Sequence, residues 1–293
     1  MENTSFLLVI SLFLSVAFPY YSSFLERYLT FLLIIMMVFS LKNVNIKLKD
    51  LKNFYFKRNL KKIIILIFIN YILLPFVIIL SAFFFVKDVD FRNGFIIMAS
   101  VPCAIIVITF TKLLKEDVLL STFGLYFNYF VSLFMTPLII WLFFKETISV
   151  IPILKTIFLL VILPLVLANF LDKVDKKIIK GMILKYDKII INIIFVITTY
   201  AFIGLNIKNI VNIFYLKEIV YVLIIKTFFL SFVFLFFTKD LVYAIFANYK
   251  NLGYAIILSL SLFNKETALP SVIGIFFDNI LFIFLNTYRK SII

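Results

Sequence analysis

Apolar segments of about 20 residues follow one another along most of the chain, with short charged stretches between them. A helix needs about this length to cross the hydrocarbon core of a bilayer, and backbone groups in lipid must be paired within the protein. The segments therefore predict an all-α polytopic membrane protein of about ten transmembrane helices. Hydrophobic residues make up 64% of the chain, more than a soluble domain of this length can bury. The predicted spans are 4–21, 28–41, 63–86, 93–111, 118–142, 150–170, 189–206, 218–237, 241–263 and 268–287.

The basic residues predict the orientation of these spans. The formal net charge is +14, and Lys and Arg are concentrated in the loops of one side, above all at 42–62 and 172–188. By the positive-inside rule that side is cytoplasmic, which predicts a multi-pass protein of the cell membrane with both termini in the cytoplasm. Residues 45–62 are predicted to form an amphipathic segment that lies on the lipid at this face. Because topology accounts for the charge, no nucleic-acid partner is expected.

The residue types that the chain lacks exclude several kinds of chemistry. There is no His, which excludes a His proton relay and a His-ligated metal. Cys103 is the single cysteine, so no disulfide can form within the chain. The sequence also lacks the aspartate-rich, HExxH and GxGD motifs of intramembrane enzymes. We therefore expect neither an enzymatic activity nor a cofactor.

Two predicted transmembrane helices are interrupted near their midpoints. The span at 241–263 contains a polar run at 248–253 with Lys250 in it, and the span at 93–111 contains Pro102, which removes a backbone donor. Polar and helix-breaking residues at this depth must lie inside the protein or line a cavity. Interrupted helices at corresponding positions in two halves of a chain are typical of the substrate site of a secondary transporter.

The spans also divide into two halves of five helices each. These halves, 1–145 and 146–293, have opposite orientations in the membrane and each contains one interrupted helix. We therefore predict two inverted five-helix repeats within a single membrane domain, with broken helices four and nine.

Several polar residues within the spans are candidates for binding a substrate or an ion, since such groups are costly inside a membrane and usually functional. They are Lys250, Asn251, Thr109, Thr111, Asn128, Ser132, Asp278 and Asn279. Structural roles stay open for some of them. Asn128 and Ser132 also suit hydrogen bonds between packed helices, and the two threonines suit bonds to carbonyls freed by the interruption. Lys226 has no motif around it, and a side chain that reaches the outer water explains it equally well.

Motifs around the two interruptions resemble a known transporter family. The run LLKEDVLLS at 113–121 follows the first interruption, and Asn251, Gly253 and Phe263 precede an Ala-Leu-Pro junction at 268–270. With weaker matches in spans two, three and six, they make the chain similar to the bile acid:sodium symporter family, within the bile/arsenite/riboflavin-type transporter superfamily. The resemblance implies a panel domain and a core domain. It also implies crossed helices four and nine that hold coupling ions and an organic anion.

The chain departs from the family at the positions that bind sodium. Sodium-coupled members have an adjacent Ser-Asn pair where this chain has Val107 and Ile108, and a Glu and a Gln where it has Phe246 and Lys250. Hard cations prefer several oxygen ligands, so these replacements argue against sodium coupling while leaving sodium binding open. The Lys250 ammonium is the suggested replacement, in a proton-coupled carrier or a uniporter. The alternative for Lys250 is snorkelling or a fixed ion pair with Asp278 that only holds the crossing together.

The predicted function is secondary transport of a small organic anion across the lipid bilayer by alternating access. Two alternatives stay open. The auxin efflux carriers share the broken-helix architecture, but the LLKEDVLLS run and the Ala-Leu-Pro junction favour the symporter family. A non-transporting sensor or scaffold of the same fold is the other alternative, and the charged Lys250 speaks against it because a scaffold has no need of a costly intramembrane charge.

Overall fold

The computed structural model describes residues 10–11, 13–42, 56–145, 150–174, 182–205 and 213–292. Within these ranges the chain is helical and has no β-strand beyond one isolated bridge, which confirms the predicted all-α class. The described residues fall into two compact units, one within Met1–Asn45 and Ile151–Ile213 and the other within Ile46–Val150 and Phe214–Ile293. Each unit combines segments from both halves of the chain. The predicted inverted repeats at 1–145 and 146–293 are halves related by symmetry, which a division into compact units does not test, so they stay a prediction.

The α-helices are numbered in chain order through the described ranges. They are α1 Ser22–Glu26, α2 Leu29–Lys42, α3 Phe56–Phe68, α4 Leu74–Phe85, α5 Val89–Ser100, α6 Ile106–Leu113, α7 Val118–Phe144, α8 Val150–Ile157, α9 Leu163–Val174, α10 Met182–Leu205, α11 Ile213–Ile224, α12 Leu230–Thr238, α13 Leu241–Phe246, α14 Leu252–Leu262 and α15 Lys265–Ile292. The π-helical segments Ile69–Leu73, Phe158–Ile162 and Ile225–Phe229 join α3 to α4, α8 to α9 and α11 to α12 without a break.

Five helices in the described ranges are long and apolar enough to cross a membrane, and a bent pair, Pro19–Glu26 with Leu29–Leu41, adds a sixth if it forms one span. The five are Asn59–Phe85, Val118–Phe144, Ile151–Leu171, Leu216–Thr238 and Lys265–Arg289. The remaining predicted spans are shorter helices, are divided into two, or fall partly outside the described residues. The multi-pass architecture is thus confirmed, and the number of about ten crossings stays a prediction.

The amphipathic segment predicted at 45–62 is described only in part. Residues 45–55 lie outside the described residues, and from Phe56 the chain already belongs to α3. Residues 56–62 are therefore helical and continue without a break into the third predicted span, and their position on the lipid stays a prediction. The physical reason is that nothing between Phe56 and Pro75 ends a helix, since Lys, Arg and Leu are good helix formers and this stretch has no Gly.

In the first unit, α2 packs against α9 and α10, and α1 packs against α10. The helical stretch that precedes α1 ends before Pro19, which begins a short 3₁₀-helix leading into α1. Here the hydroxyl of Tyr200 on α10 donates to the carbonyl of Phe18 at 2.6 Å, and the hydroxyl of Ser15 donates to the carbonyl of Tyr200 at 3.2 Å. Side chains thus bind backbone groups at a point where the helical bonding pattern is lost.

In the second unit, α15 packs along α5 and α14. Gly94 on α5 permits the close approach, because a Cβ at this position would collide with the carbonyl oxygen of Thr267 and lie 3.0 Å from Cγ of Pro270. Gly124 on α7 has a similar role, since a Cβ there would lie 2.6 Å from Cδ1 of Leu66. At Gly94 the close atom belongs to the backbone, so a larger residue fits only if α5 and α15 move apart, whereas at Gly124 the end of the Leu66 side chain can move aside.

Both predicted interruptions are confirmed. The fourth span divides into α5 and α6, and residues 101–105 with Pro102 lie between them. The ninth span divides into α13 and α14, and residues 247–251 with Lys250 lie between them. Both interruptions belong to the second unit, which also contains α7, α15 and the two π-helical segments at Ile69–Leu73 and Ile225–Phe229.

Candidate functional site

The two interruptions cross and pair with each other. An antiparallel bridge joins Cys103 and Lys250. In this bridge the amide of Ala104 donates to the carbonyl of Tyr249 at 3.0 Å, and the amide of Asn251 donates to the carbonyl of Pro102 at 2.8 Å. Each break frees backbone groups that cannot remain unpaired at this depth in a membrane, and each supplies partners for the other. The pairing therefore fixes the crossing point and the direction in which its side chains leave the backbone.

The ammonium of Lys250 is buried at this crossing and is surrounded by oxygen atoms. Its Nζ donates to the backbone carbonyl of Asn70 at 2.6 Å, to the carbonyl of Val101 at 2.8 Å and to Oδ1 of Asn70 at 3.2 Å. Lys250 is only 1% exposed, and these contacts use all three N–H groups of the ammonium. Nζ also lies 5.0 Å from the centre of the Tyr71 ring, where a cation interacts favourably with the π-system.

The sequence explains why the carbonyl of Asn70 is available to Lys250. In the π-helical segment the amide of Leu74 donates to the carbonyl of Ile69, five residues earlier. The next amide in this pattern would belong to residue 75, which is Pro75 and has no N–H. The carbonyl of Asn70 therefore has no donor within its own helix, and the Lys250 ammonium takes that place.

The carbonyl of Val101 is available for a related reason, because it follows the last residue of α5. The final carbonyls of a helix have no intrahelical donor and carry the negative end of its dipole. Here Lys250 donates to Val101, and the hydroxyl of Thr136 donates to the carbonyl of Ser100 at 2.8 Å. A cation at this end of α5 is electrostatically favourable.

A second charged centre lies on the other side of the second interruption. Nζ of Lys226 donates to Oδ1 of Asp278 at 2.5 Å, and Nδ2 of Asn248 donates to the same oxygen at 3.1 Å. The hydroxyl of Tyr249 donates to the backbone carbonyl of Asp278 at 2.8 Å. Lys226, on the π-helical segment between α11 and α12, is completely buried. From the sequence, Asp278 was a possible partner for Lys250, and the side chain of Lys226 was considered equally able to reach the outer water. In the structure Asp278 pairs with Lys226 instead.

The buried charges do not cancel. Among the described residues, the charged side chains that are buried are Lys226, Lys250 and Asp278. With each group in its ordinary charge state at neutral pH, two ammonium groups and one carboxylate give this region a formal net charge of +1. The two ammonium groups are also close enough to repel each other. An excess positive charge at low dielectric favours the binding of an anion nearby.

The other predicted site residues lie at different distances from this centre. Asn251 caps α14, since its Oδ1 accepts from the amide of Tyr254 at 3.1 Å, and its Nδ2 donates to the hydroxyl of Tyr129 at 3.2 Å. Asn128 donates to the carbonyl of Gly124 in its own helix at 2.9 Å. Ser132 likewise donates within α7, at 2.6 Å. Asn251 thus belongs to the crossing. Asn128 and Ser132 donate within their own helix, and Oδ1 of Asn128 is buried without a donor among the described residues.

Three candidates make no hydrogen bond to the charged side chains of the two centres. The hydroxyl of Thr111 donates to the carbonyl of Val107 and contacts the hydroxyl of Ser121 at 2.9 Å. Thr109 is exposed on the surface of the unit. Nδ2 of Asn279 donates to the carbonyl of Ile275 in α15 at 2.7 Å. Thr111 therefore joins α6 to α7, and Asn279 satisfies its amide within its own helix.

Two residues that sequence analysis did not select contribute to the Lys250 site, namely Asn70 and Tyr71. The sequence could have indicated Asn70, because this polar residue lies in an apolar span and is followed five residues later by Pro75, which has no N–H. It predicts a free carbonyl but does not reveal the donor that binds it.

An ion pair at the end of a membrane-spanning segment joins the loop before α7 to the end of α15. The guanidinium of Arg289 lies 3.3 Å from the Glu116 carboxylate, and its Nε donates to the carbonyl of Leu114 at 3.2 Å. Burial raises the pKa of the Glu116 carboxyl above its usual value, and the positive charge of Arg289 opposes this rise.

Two broken helices that cross inside a polytopic helical unit, with buried ionisable groups at the crossing, are the architecture of a secondary transporter. Residues 30–213, more than half of the chain, match the Sodium Bile acid symporter family. The chain belongs to this family of transporters. The matched range contains α5, α6 and Asn70, and Lys226, Lys250 and Asp278 lie beyond it. No curated protein matches the chain at a significant level.

Proposed function

We propose that this transporter moves a small organic anion by alternating access, and that the Lys250 ammonium takes the place of a coupling sodium ion. The observation that carries the proposal is the net buried charge of +1 at the crossing, formed by Lys226, Lys250 and Asp278. A bound monovalent anion would neutralise this charge. An added sodium ion would increase it and would be repelled by both ammonium groups.

The surroundings of Lys250 support the second part of the proposal. Three neutral oxygens at 2.6, 2.8 and 3.2 Å surround Nζ, as oxygen ligands surround a bound cation. By its resemblance to the family, Lys250 stands where sodium-coupled relatives have a Gln near their ion. A covalently attached ammonium supplies a positive charge without a binding equilibrium, so transport would continue in the absence of sodium.

Two further features favour an anionic substrate. Nδ2 of Asn70 is buried and has no acceptor among the described residues, so it remains a donor beside Lys250. The half-helices α6 and α14 both begin at the crossing, and the start of a helix carries partial positive charge. Together with the ammonium groups, they form an environment that stabilises a carboxylate or a sulfonate.

For localisation, we propose the cell membrane with both termini in the cytoplasm. The support is the accumulation of Lys and Arg in the loops of one side of the sequence. Cysteine residues placed singly at position 2 and at position 292, in a variant with Cys103→Ala, can be tested with a membrane-impermeant thiol reagent. Labelling of either terminus in intact cells would contradict the proposed orientation.

The test of the proposed function is anion binding by the purified protein without sodium. Taurocholate is a suitable first probe because it combines a steroid body with a sulfonate. In choline buffer we expect taurocholate to raise the melting temperature of the wild type, and an equal concentration of sodium to add nothing, since only a ligand of the folded state stabilises it. A taurocholate effect that appears only with sodium would overturn the proposal. If taurocholate is inactive in both buffers, a panel of smaller carboxylates under the same two conditions decides the substrate class.

A further inference from the structure

We infer that Asp278 is a proton-binding site of this carrier and that its proton and the transported anion bind cooperatively. The inference rests on the proposed function, because it names the ion whose movement accompanies the anion. It assigns to Asp278 the coupling role that the sequence had suggested for Lys250.

The two oxygens of the Asp278 carboxylate have different surroundings. Oδ1 accepts both hydrogen bonds, from Lys226 at 2.5 Å and from Asn248 at 3.1 Å. Oδ2 accepts none from the described residues, and the side chain remains 12% exposed although Lys226 beside it is 0% exposed. One oxygen is thus anchored in the protein, and the other is open to an incoming proton.

Asn248 is built to serve either protonation state of this carboxyl group. It is completely buried, its Nδ2 donates to the carboxylate, and its Oδ1 has no donor among the described residues. An amide carries a donor and an acceptor. Oδ1 of Asp278 remains an acceptor when Oδ2 carries a proton, so Asn248 donates to the same oxygen in both protonation states without any movement of the backbone.

The groups that face the carboxylate are few. Lys226 approaches from the π-helical segment between α11 and α12, and Tyr249 approaches from the second interruption with its hydroxyl on the backbone carbonyl of Asp278. Lys250 is close enough to Lys226 to interact with it electrostatically. Asp278 is the one buried carboxylate among the described residues. The ammonium of Lys250 already uses all three N–H groups, which makes it a fixed charge rather than a proton carrier.

The charges make the sign of the coupling definite. When a proton from water binds Oδ2, an O–H bond forms and the buried charge of Lys226, Lys250 and Asp278 rises from +1 to +2. The more positive site binds an anion more strongly, and by thermodynamic reciprocity a bound anion makes Asp278 bind its proton more strongly. After the conformational change, the O–H bond breaks and the proton returns to water on the other side. Proton and anion therefore move in the same direction.

The opposing explanation is a static ion pair that only joins α15 to the π-helical segment. Stability alone is a weak reason for such a pair, because replacing a buried ion pair by apolar residues of similar volume is often neutral or stabilising. The two explanations differ in one observable property, which is whether the Asp278 carboxyl group changes its protonation state.

Infrared difference spectroscopy of the full-length protein in lipid nanodiscs, titrated with acid in the absence of any substrate, measures this property. We expect a protonated-carboxyl band in the wild type that is missing in Asp278→Asn. Asp117→Asn is the matched control, because Asp117 is exposed and Asn also caps a helix well. The wild-type band attributed to Asp278 must persist in this control. Identical titration spectra for the wild type and Asp278→Asn would overturn the inference.

A second variant shows whether the missing band comes from the loss of Asp278 or from misfolding of Asp278→Asn. Asp278→Asn leaves Lys226 without a countercharge, whereas the double variant Lys226→Met/Asp278→Leu removes both charges at once. The same band must be missing in the double variant. Taurocholate affinity provides a further readout: in the wild type it should increase by on the order of tenfold as the pH falls, and in the double variant it should not depend on pH. A pH-independent affinity in the wild type would contradict coupling, whereas sodium-dependent binding would instead contradict the proposed function.

Discussion

The substitution Lys250→Met tests the role of the ammonium most sharply, because it removes the charge and leaves an unbranched side chain that is one atom shorter. The variant leaves the carbonyls of Asn70 and Val101 without the donor that lay 2.6 and 2.8 Å away. A buried acceptor that loses its partner costs about 1–3 kcal/mol, so the two carbonyls together cost about 2–6 kcal/mol. Removing a charge from the middle of a bilayer recovers about 2.5–3.5 kcal/mol. We expect a net loss of stability of up to about 3 kcal/mol in choline buffer.

The same variant should gain a response to sodium. The oxygens that surrounded Nζ become available to a small cation, and a ligand at one hundred times its Kd stabilises the folded state by about 2.7 kcal/mol. Sodium should therefore restore the melting temperature of Lys250→Met, and choline at equal ionic strength should not. The assay is thermal unfolding of the detergent-purified protein.

The control for this experiment is Lys112→Met, which makes the same substitution at an exposed position of α6. Its melting temperature should match that of the wild type in both buffers, since surface substitutions usually change stability by less than about 0.5 kcal/mol. If Lys250→Met is as stable as the wild type and does not respond to sodium, the oxygens around Nζ do not form a cation site and the reasoning fails.

Three further predictions concern stability. Gly94→Ala should lower the free energy of unfolding, measured by denaturation, by about 1–3 kcal/mol through overpacking. Gly274→Ala should have a smaller effect in the same assay, because the nearest atom to its Cβ would be a side-chain atom at 3.2 Å. Lys226→Met should cost about 3–5 kcal/mol because it leaves the Asp278 carboxylate buried and unpaired, and Lys226→Met/Asp278→Leu should recover most of this loss in a double-mutant cycle. The raised pKa of Glu116 means that the folded protein binds this proton more tightly than the unfolded chain. The protonated Glu116 therefore adds to the free energy of unfolding at a pH below 4.5, the ordinary pKa of Glu, and this contribution is lost as the pH rises through the raised pKa. The melting temperature of Glu116→Gln should lack this component of the pH dependence; an unchanged pH profile would contradict the assignment.

The interruptions of helices four and nine could be predicted because their causes are local. Pro102 removes a backbone donor from one apolar span, and a polar run that contains Lys250 disrupts another. The burial of Lys250 followed from the same information. By contrast, the start of α3 at Phe56 was not predicted: the third span was placed at 63–86, because the charged residues before it were interpreted as a surface segment although none of them ends a helix.

The partners of the two buried lysines could not be predicted from the sequence. Lys250 binds mainly backbone carbonyls, which every residue has, and only the combination of Asn70 with Pro75 distinguishes one of them. Lys226 and Asp278 are 52 residues apart, and no local pattern indicates which lysine the carboxylate selects. Tertiary packing decides between Lys226 and Lys250, and it gives each a different kind of partner.

The claim that a covalently attached ammonium replaces the coupling ion is tested most directly by measuring the binding of radioactive sodium to the purified protein. The wild type should show no saturable sodium binding, because Nζ of Lys250 already occupies the oxygen atoms that a cation would need. Lys250→Met, measured beside it, should bind sodium saturably. Saturable sodium binding by the wild type would contradict the account.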